Sequence, residues 1–129
     1  VTEWADKFRM LPSVSAAEPG KYRSSRTPFF VEIMDALSSN SGVEYICLLK
    51  GVQIGGTEVG NNFFGYVVDV APGPMMMIFP TGALGQDNSK QKLAPTIEET
   101  PPLRSKIKEA KSRDSGNTIS VKEFPGGIL

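Results

Sequence analysis

The chain contains no histidine. A histidine-ligated metal site and a serine–histidine nucleophile are therefore excluded within it. One cysteine, Cys47, is too few for an internal disulfide. Its place in the apolar run EYICLLK predicts a buried, inert thiol. An excess of charge is lacking too: fourteen basic residues balance fourteen acidic ones. Contact with nucleic acid would then have to come from a local patch. No apolar stretch reaches the roughly 18 residues of a membrane span, and the N-terminus lacks the organisation of a signal peptide. The expectation is a soluble, intracellular chain with no membrane partner. An initiating methionine is missing, and the sequence stops at FPGGIL as a turn hands over to apolar residues. Both ends predict a piece of a longer protein.

What is present is ordinary globular composition, 40% hydrophobic and 22% charged over 129 residues, enough for one domain with a usable core. TEWADKFRML spaces Trp4, Phe8 and Leu11 as a short helix behind a Thr2 cap. Residues 12–26 have loop composition. Thr27-Pro28 reads as a cap followed by proline in the first helical turn. Phe30, Ile33, Met34 and Leu37 then form an amphipathic stripe that ends by Gly42. Val43–Leu49 is a compact apolar run expected to be a buried strand. After a glycine-rich loop, Val59, Phe63, Tyr66, Val67 and Val70 recur at helical spacing, broken by APGP. Met75–Phe79 reads as a second buried strand, with its methionines as core. A polar helix is expected over 82–94, ended or kinked by Pro95. Thr96–Glu99 has capping-box spacing. A short basic helix over 103–111, an alternating strand over 118–122 and a turn at Pro125-Gly126-Gly127 complete the pattern. Strand, loop, helix, strand, helix predicts a parallel α/β sheet.

The chemistry concentrates in LLKGVQIGGTE, Leu48–Glu58. A phosphate loop sits between a strand and a helix, with glycines for close approach, a lysine for the phosphates and a hydroxyl for Mg²⁺. Aligning Gly55 and Thr57 with the standard G-x-x-x-x-G-K-[ST] puts Gly56 in the lysine slot and Lys50 in the first glycine slot. Gly55 and Gly56 permit tight wrapping of the backbone around an anion. Lys50 has a stem long enough to bring its ammonium to the phosphates from the strand end. A plain structural turn is the competing reading.

The chain resembles the N-terminal ATPase region of the large terminase subunit of tailed bacteriophages, the lambda-type family. EWAD, the SRTP-FF-EIMDAL helix, LLKGVQIGGTE, FPT, LAPTIEETPPLR and SRDSGNTISVKEF carry that resemblance over nearly the whole chain. The family is similar in placing its loop lysine at the front, where Lys50 stands. The resemblance implies an ATP-driven motor that moves viral DNA into a procapsid in the host cell cytoplasm, with an endonuclease domain further along that cuts concatemeric DNA. ATP and Mg²⁺ are the implied cofactors. The small terminase subunit, the portal and procapsid, double-stranded viral DNA and further copies of the motor are the implied partners.

By position, Lys50 would contact the β/γ-phosphates and act as the catalytic cation. Gly51, Val52, Gln53, Ile54, Gly55 and Gly56 would form the cradle, and Thr57 would hold Mg²⁺. Gln53 is open to nucleotide, a neighbouring subunit or solvent. The implied fold is α/β, a P-loop NTPase-like parallel sheet with flanking helices, incomplete because its acidic Walker B strand lies beyond Leu129. Residues 1–42 would be an N-terminal helical segment and 43–129 the first part of the ATPase domain, weak at best in nucleotide binding and inactive alone. Related motors place a glutamine after an aromatic residue for adenine. Phe29-Phe30 stands there instead, leaving Tyr22, Arg26 and Phe29 as candidate adenine contacts, with a core role for Phe29 as the plainer alternative.

Two further features stay open. RSKIKEAKSR holds five basic residues and one acid. Lys106, Lys108, Lys111 and Arg113 are either a solvated helix face or contacts to the DNA backbone. Thr81 ends the second strand, where ligands gather in open α/β sheets, or simply caps a helix. Two other functions fit the loop: a helicase-like nucleic-acid ATPase, and a catalytically dead prophage remnant serving as an assembly-contact domain.

Overall fold

A computed structural model describes residues 1–107 and 118–129. At its centre is a 14-residue helix, α3 (Gly56–Asp69), which begins at the end of the glycine-rich loop. Val59, Phe64, Val67 and Val68 are buried, with Phe63 and Tyr66 packed at the margin of the core. Val70, counted in the apolar stripe, is instead exposed. Burial extends to Asn61 and Asn62, so α3 is covered over most of its circumference, as an inner helix must be.

Three elements cover it. α1 (Thr2–Phe8) lays Trp4 across α3 at Gly65, where a Cβ would meet Trp4 Cη2 at 2.2 Å. One turn further along, Trp4 Nε1 donates to Asp69 Oδ2 at 2.8 Å. α2 (Val31–Ala36), entered through a single 3₁₀ turn at Pro28–Phe30, buries Phe30 and Met34 and packs Ile33 and Leu37 on the core, as its stripe predicts. α6 (Pro101–Lys106) buries Leu103, and its Lys106 reaches Asp69 Oδ1 at 2.9 Å and the Asp69 carbonyl at 2.9 Å. Thr2 is not a cap: its hydroxyl donates to the Val31 carbonyl and so ties α1 to α2.

The sheet differs from expectation. Among the described residues there are two antiparallel hairpins and no parallel ladder. β1 (Met10–Leu11) pairs with β2 (Gly20–Lys21), and β3 (Glu123–Phe124) pairs with β4 (Gly127–Ile128) around Pro125-Gly126. Gly126 takes the positive φ of 87° that the third position of a Pro-Gly turn requires. Phe124 meets Phe64 edge-on at 6.3 Å and so docks this second hairpin on α3. The fold is thus mixed helix and strand.

Neither apolar run forms a buried strand. Val43–Leu49 makes no ladder, and Tyr45 and Leu49 are almost fully exposed. Cys47 is exposed with them, not buried. Met75–Phe79 alternates, with Met75 on the core and Met76 and Ile78 facing out. Its one tie to the second hairpin is Met75 N–H to the Ile128 carbonyl at 2.8 Å. A strand is stable only when neighbours take its backbone groups; the described residues supply no backbone partner for Val43–Leu49 and a single one, at Met75, for the second run. Thr118–Val121 is a turn leading into β3, with the Thr118 hydroxyl taking the Ser120 and Val121 N–H groups, and only Lys122 of the expected strand pairs, with Leu129 beside the second hairpin.

The helix over 82–94 does not stop at Pro95. α4 (Gly82–Asn88) runs through a π turn at Ser89–Leu93 into α5 (Ala94–Glu99). Proline cannot donate to the carbonyl four residues back and its ring crowds it; that residue, Gln91, lies inside the wider turn, which relieves the conflict. Thr96 is consequently buried inside α5 and is not a cap. The basic helix ends at Lys106, Ile107 is buried just beyond it, and residues 108–111 of the expected stretch lie outside the described residues. No helix among the described residues is long and apolar enough to cross a membrane.

Two tests follow from the Trp4–α3 contact. Gly65→Ala forces a methyl into the indole ring and is expected to destabilise the fold by about 1–3 kcal/mol in urea unfolding. Asp69 is the second. Burial raises its pKa, but hydrogen bonds from Lys106 and Trp4 and the Lys106 charge outweigh that and hold it below the ordinary value. A lowered folded pKa gives stability that is complete above the unfolded value of about 3.9 and is lost as pH falls through the folded one. Unfolding midpoints followed from pH 5 down to pH 2 should drop more steeply in the native sequence than in Asp69→Asn.

Candidate nucleotide site

The loop at 50–57 links the exposed apolar run to α3. Its backbone turns twice through the left-handed region, at Gln53 (φ 57°) and at Gly55 (φ 94°), the residue that precedes the helix. Such a left-handed step ahead of a helix N-terminus turns successive N–H groups to one side, the arrangement that cradles anions. Glu58 N–H closes the first turn on the Gly55 carbonyl at 2.9 Å. Gly51, Val52, Gln53 and Ile54 are exposed, as is Thr57 in the first helical turn.

Lys50 lies back over this loop. A Cβ built on Gly56 would meet Lys50 Cε at 2.6 Å, Cδ at 2.8 Å and Nζ at 3.5 Å. The stem therefore occupies the space a side chain at position 56 would need. Lys50 Nζ donates to the Gly51 carbonyl at 3.2 Å, inside the loop itself. A lysine at position 50 and a glycine at 56 are thus one structural unit.

Beside the loop is a cleft of about 390 Å³. Tyr22, Arg26, Phe30, Gly55 and Glu58 line it. Phe30 forms its floor: it is buried and lies 3.6 Å from a Cβ built on Gly55. Tyr22 is buried with its hydroxyl near Thr27 Oγ1 at 3.4 Å and Met34 Sδ at 3.8 Å. Arg26 stands at the rim in an exposed ion pair with Glu18. Of the candidate adenine contacts, Tyr22 and Arg26 therefore reach the cleft and Phe29 does not. Phe29 is exposed and packs on Phe30 with ring centres 4.6 Å apart, which also removes it from the core. The preceding 3₁₀ turn sends the second phenylalanine inward in place of the first.

Sequence reasoning did not assign Glu58, which lines the cleft, or the buried arginine behind it. Arg9 is fully buried, and its Nη2 donates to Glu58 Oε2 at 2.9 Å. Burial lowers the Arg9 pKa from its ordinary value, and the charge and hydrogen bond of Glu58 oppose that. The only sequence signal was a charged residue set among Phe8, Met10 and Leu11. Lys106, a candidate DNA contact, is committed to Asp69, and Lys108, Lys111 and Arg113 lie outside the described residues. Thr81 acts as the cap of α4, its Oγ1 accepting from Leu84 N–H at 3.3 Å.

Comparison with known proteins identifies the family. The family described as the phage terminase large subunit gpA, ATPase domain, matches residues 16–129. The chain is similar to the terminase large subunit of Enterobacteria phage P21, 25% identical over 126 residues that cover 98% of this chain and 19% of that protein. It is similar also to the terminase large subunit of Escherichia phage lambda, 25% identical over 125 residues, 97% of this chain and 19% of that protein. The chain spans about a fifth of the length of these curated relatives. No solved structure matches it. With the family match running from the hairpin through the loop to the last residue, the chain belongs to the phage terminase large subunit ATPase-domain family.

Proposed function

We propose that this chain carries the nucleotide-binding part of an ATP-driven motor that packages phage DNA. The observation that carries this reading is the stem of Lys50 laid over Gly56, which supplies from the front of the loop the cation that standard phosphate loops supply from behind. The residues present fit a nucleoside triphosphate with Mg²⁺. Lys50 offers charge to the β/γ-phosphates, the backbone of 51–56 offers N–H groups, and the exposed Thr57 offers a hydroxyl to the metal. When bound, Mg²⁺ would neutralise charge developing on the transferred phosphoryl group. Tyr22, Arg26 and the Phe30 floor would receive the base in the cleft.

In the whole protein this hydrolysis drives double-stranded viral DNA into the procapsid through the portal, with further copies of the motor, in the cytoplasm of the host. The small terminase subunit brings the DNA, and an endonuclease region cuts the concatemer. Sequence-independent contact with the DNA backbone falls to the basic run containing Lys108, Lys111 and Arg113. Residues 43–129 then form the first part of the ATPase domain, and residues 1–42 pack against it through Trp4, Phe30 and Met34.

Two substitutions in the full-length protein test this reading. Lys50→Ala is expected to lower ATP turnover by about a hundredfold or more while the circular dichroism spectrum stays native. Unchanged turnover would remove Lys50 from the site. Gly56→Ala forces the flexible end of Lys50 aside without touching the core, so turnover should fall while the unfolding midpoint moves little.

A further inference from the structure

Glu58 is an awkward neighbour for an anion. It follows Thr57 in the first turn of α3 and lines the cleft beside Gly55, with 30% of its side chain exposed. A carboxylate left unpaired there would repel any phosphate held by residues 50–57, by enough to change affinity about tenfold.

Arg9 cancels that charge from behind. Its guanidinium is wholly buried, Nη2 donates to Glu58 Oε2 at 2.9 Å, and Nη1 donates to the Met10 carbonyl. Asn61 Nδ2 donates to the second carboxylate oxygen, Oε1, at 3.3 Å. Both Glu58 oxygens are thereby turned toward the protein. Arg9 Nε has no partner among the described residues. The backbone adds a second tie, because Tyr22 N–H donates to the Arg9 carbonyl at 2.9 Å and so joins Arg9 to the cleft wall.

We propose that Arg9 is a positioning residue for the phosphate cradle: it neutralises Glu58 and holds its carboxylate back, so that the first turn of α3 meets an anion only with Thr57 and backbone N–H groups. The inference rests on the reading of residues 50–57 as a phosphate-binding loop. It makes a charge-specific claim that a packing role for Arg9 does not make.

The test is equilibrium binding of Mg²⁺-ATP and of adenosine to the full-length protein. Arg9→Met keeps an apolar stem and removes the charge. It should weaken ATP about tenfold and leave adenosine unchanged, since only ATP carries phosphates. Adding Glu58→Gln to that variant should restore ATP affinity, because a neutral amide needs no counter-ion. Equal losses for the two ligands, or no rescue by the second substitution, overturn the proposal. Should Arg9→Met fail to fold, Glu58→Gln alone decides. With Arg9 unopposed, ATP should bind more tightly and adenosine as before; weaker or unaltered ATP binding overturns the proposal. A native protein that binds no ATP at all, or Lys50→Ala with undiminished ATP affinity, sinks the reading of the loop and this inference with it. Normal ATP binding that depends on Lys50 but not on Arg9 sinks the inference alone.

Discussion

The covering of α3 is the constraint on which the rest of the structure depends. A helix that carries Phe64, Val68, Asn61 and Asn62 in its interior must be enclosed from several sides at once. α1, α2 and α6 do this, and the hairpin at Phe124 adds a fourth contact. The closest of these approaches, Trp4 on Gly65, admits no side chain beyond hydrogen. Because the loop at 50–57 runs straight into the N-terminus of α3, whatever fixes the helix also fixes the mouth of the site.

Polar groups pin the two ends of that helix in different ways. At its C-terminal end Asp69 gathers the Trp4 indole and the Lys106 ammonium, joining α1 and α6 through one carboxylate. At its N-terminal end Glu58 receives Arg9 from the same N-terminal stretch. The segment around residues 2–10 therefore grips α3 at both ends. Of these four charges only Arg9 is wholly buried, so removing Glu58 would leave a charge without water, whereas Glu58, Asp69 and Lys106 each keep some exposure. The N-terminal stretch is thus part of the site's support even though little of it faces the cleft.

Much of the helical order was legible from spacing. The stripe Phe30, Ile33, Met34, Leu37 lies on the core, and the helix after the loop begins where the glycines place it. Local signals sufficed because each helix satisfies its own backbone and only needs one apolar side. The strands failed for the converse reason. An apolar run such as Val43–Leu49 says that a strand could be buried, but its pairing depends on residues far away in sequence. Pro95 was expected to end or kink its helix; it does not end it, because a single wide turn lets the helix pass a residue that ordinarily stops it.

By itself the sequence determined the chemistry on offer: no histidine, one cysteine, a hydroxyl at 57, glycines at 55 and 56, and a lysine displaced to 50. Those are properties of residue types and short spacings, and no fold is needed to read them. Only the tertiary structure decided that the stem of Lys50 fills the space above Gly56, that Phe30 and not Phe29 floors the cleft, and that Arg9 stands behind Glu58. Each of these is a meeting of groups brought together by packing, and the pairing of position 9 with position 58 leaves no trace in local periodicity.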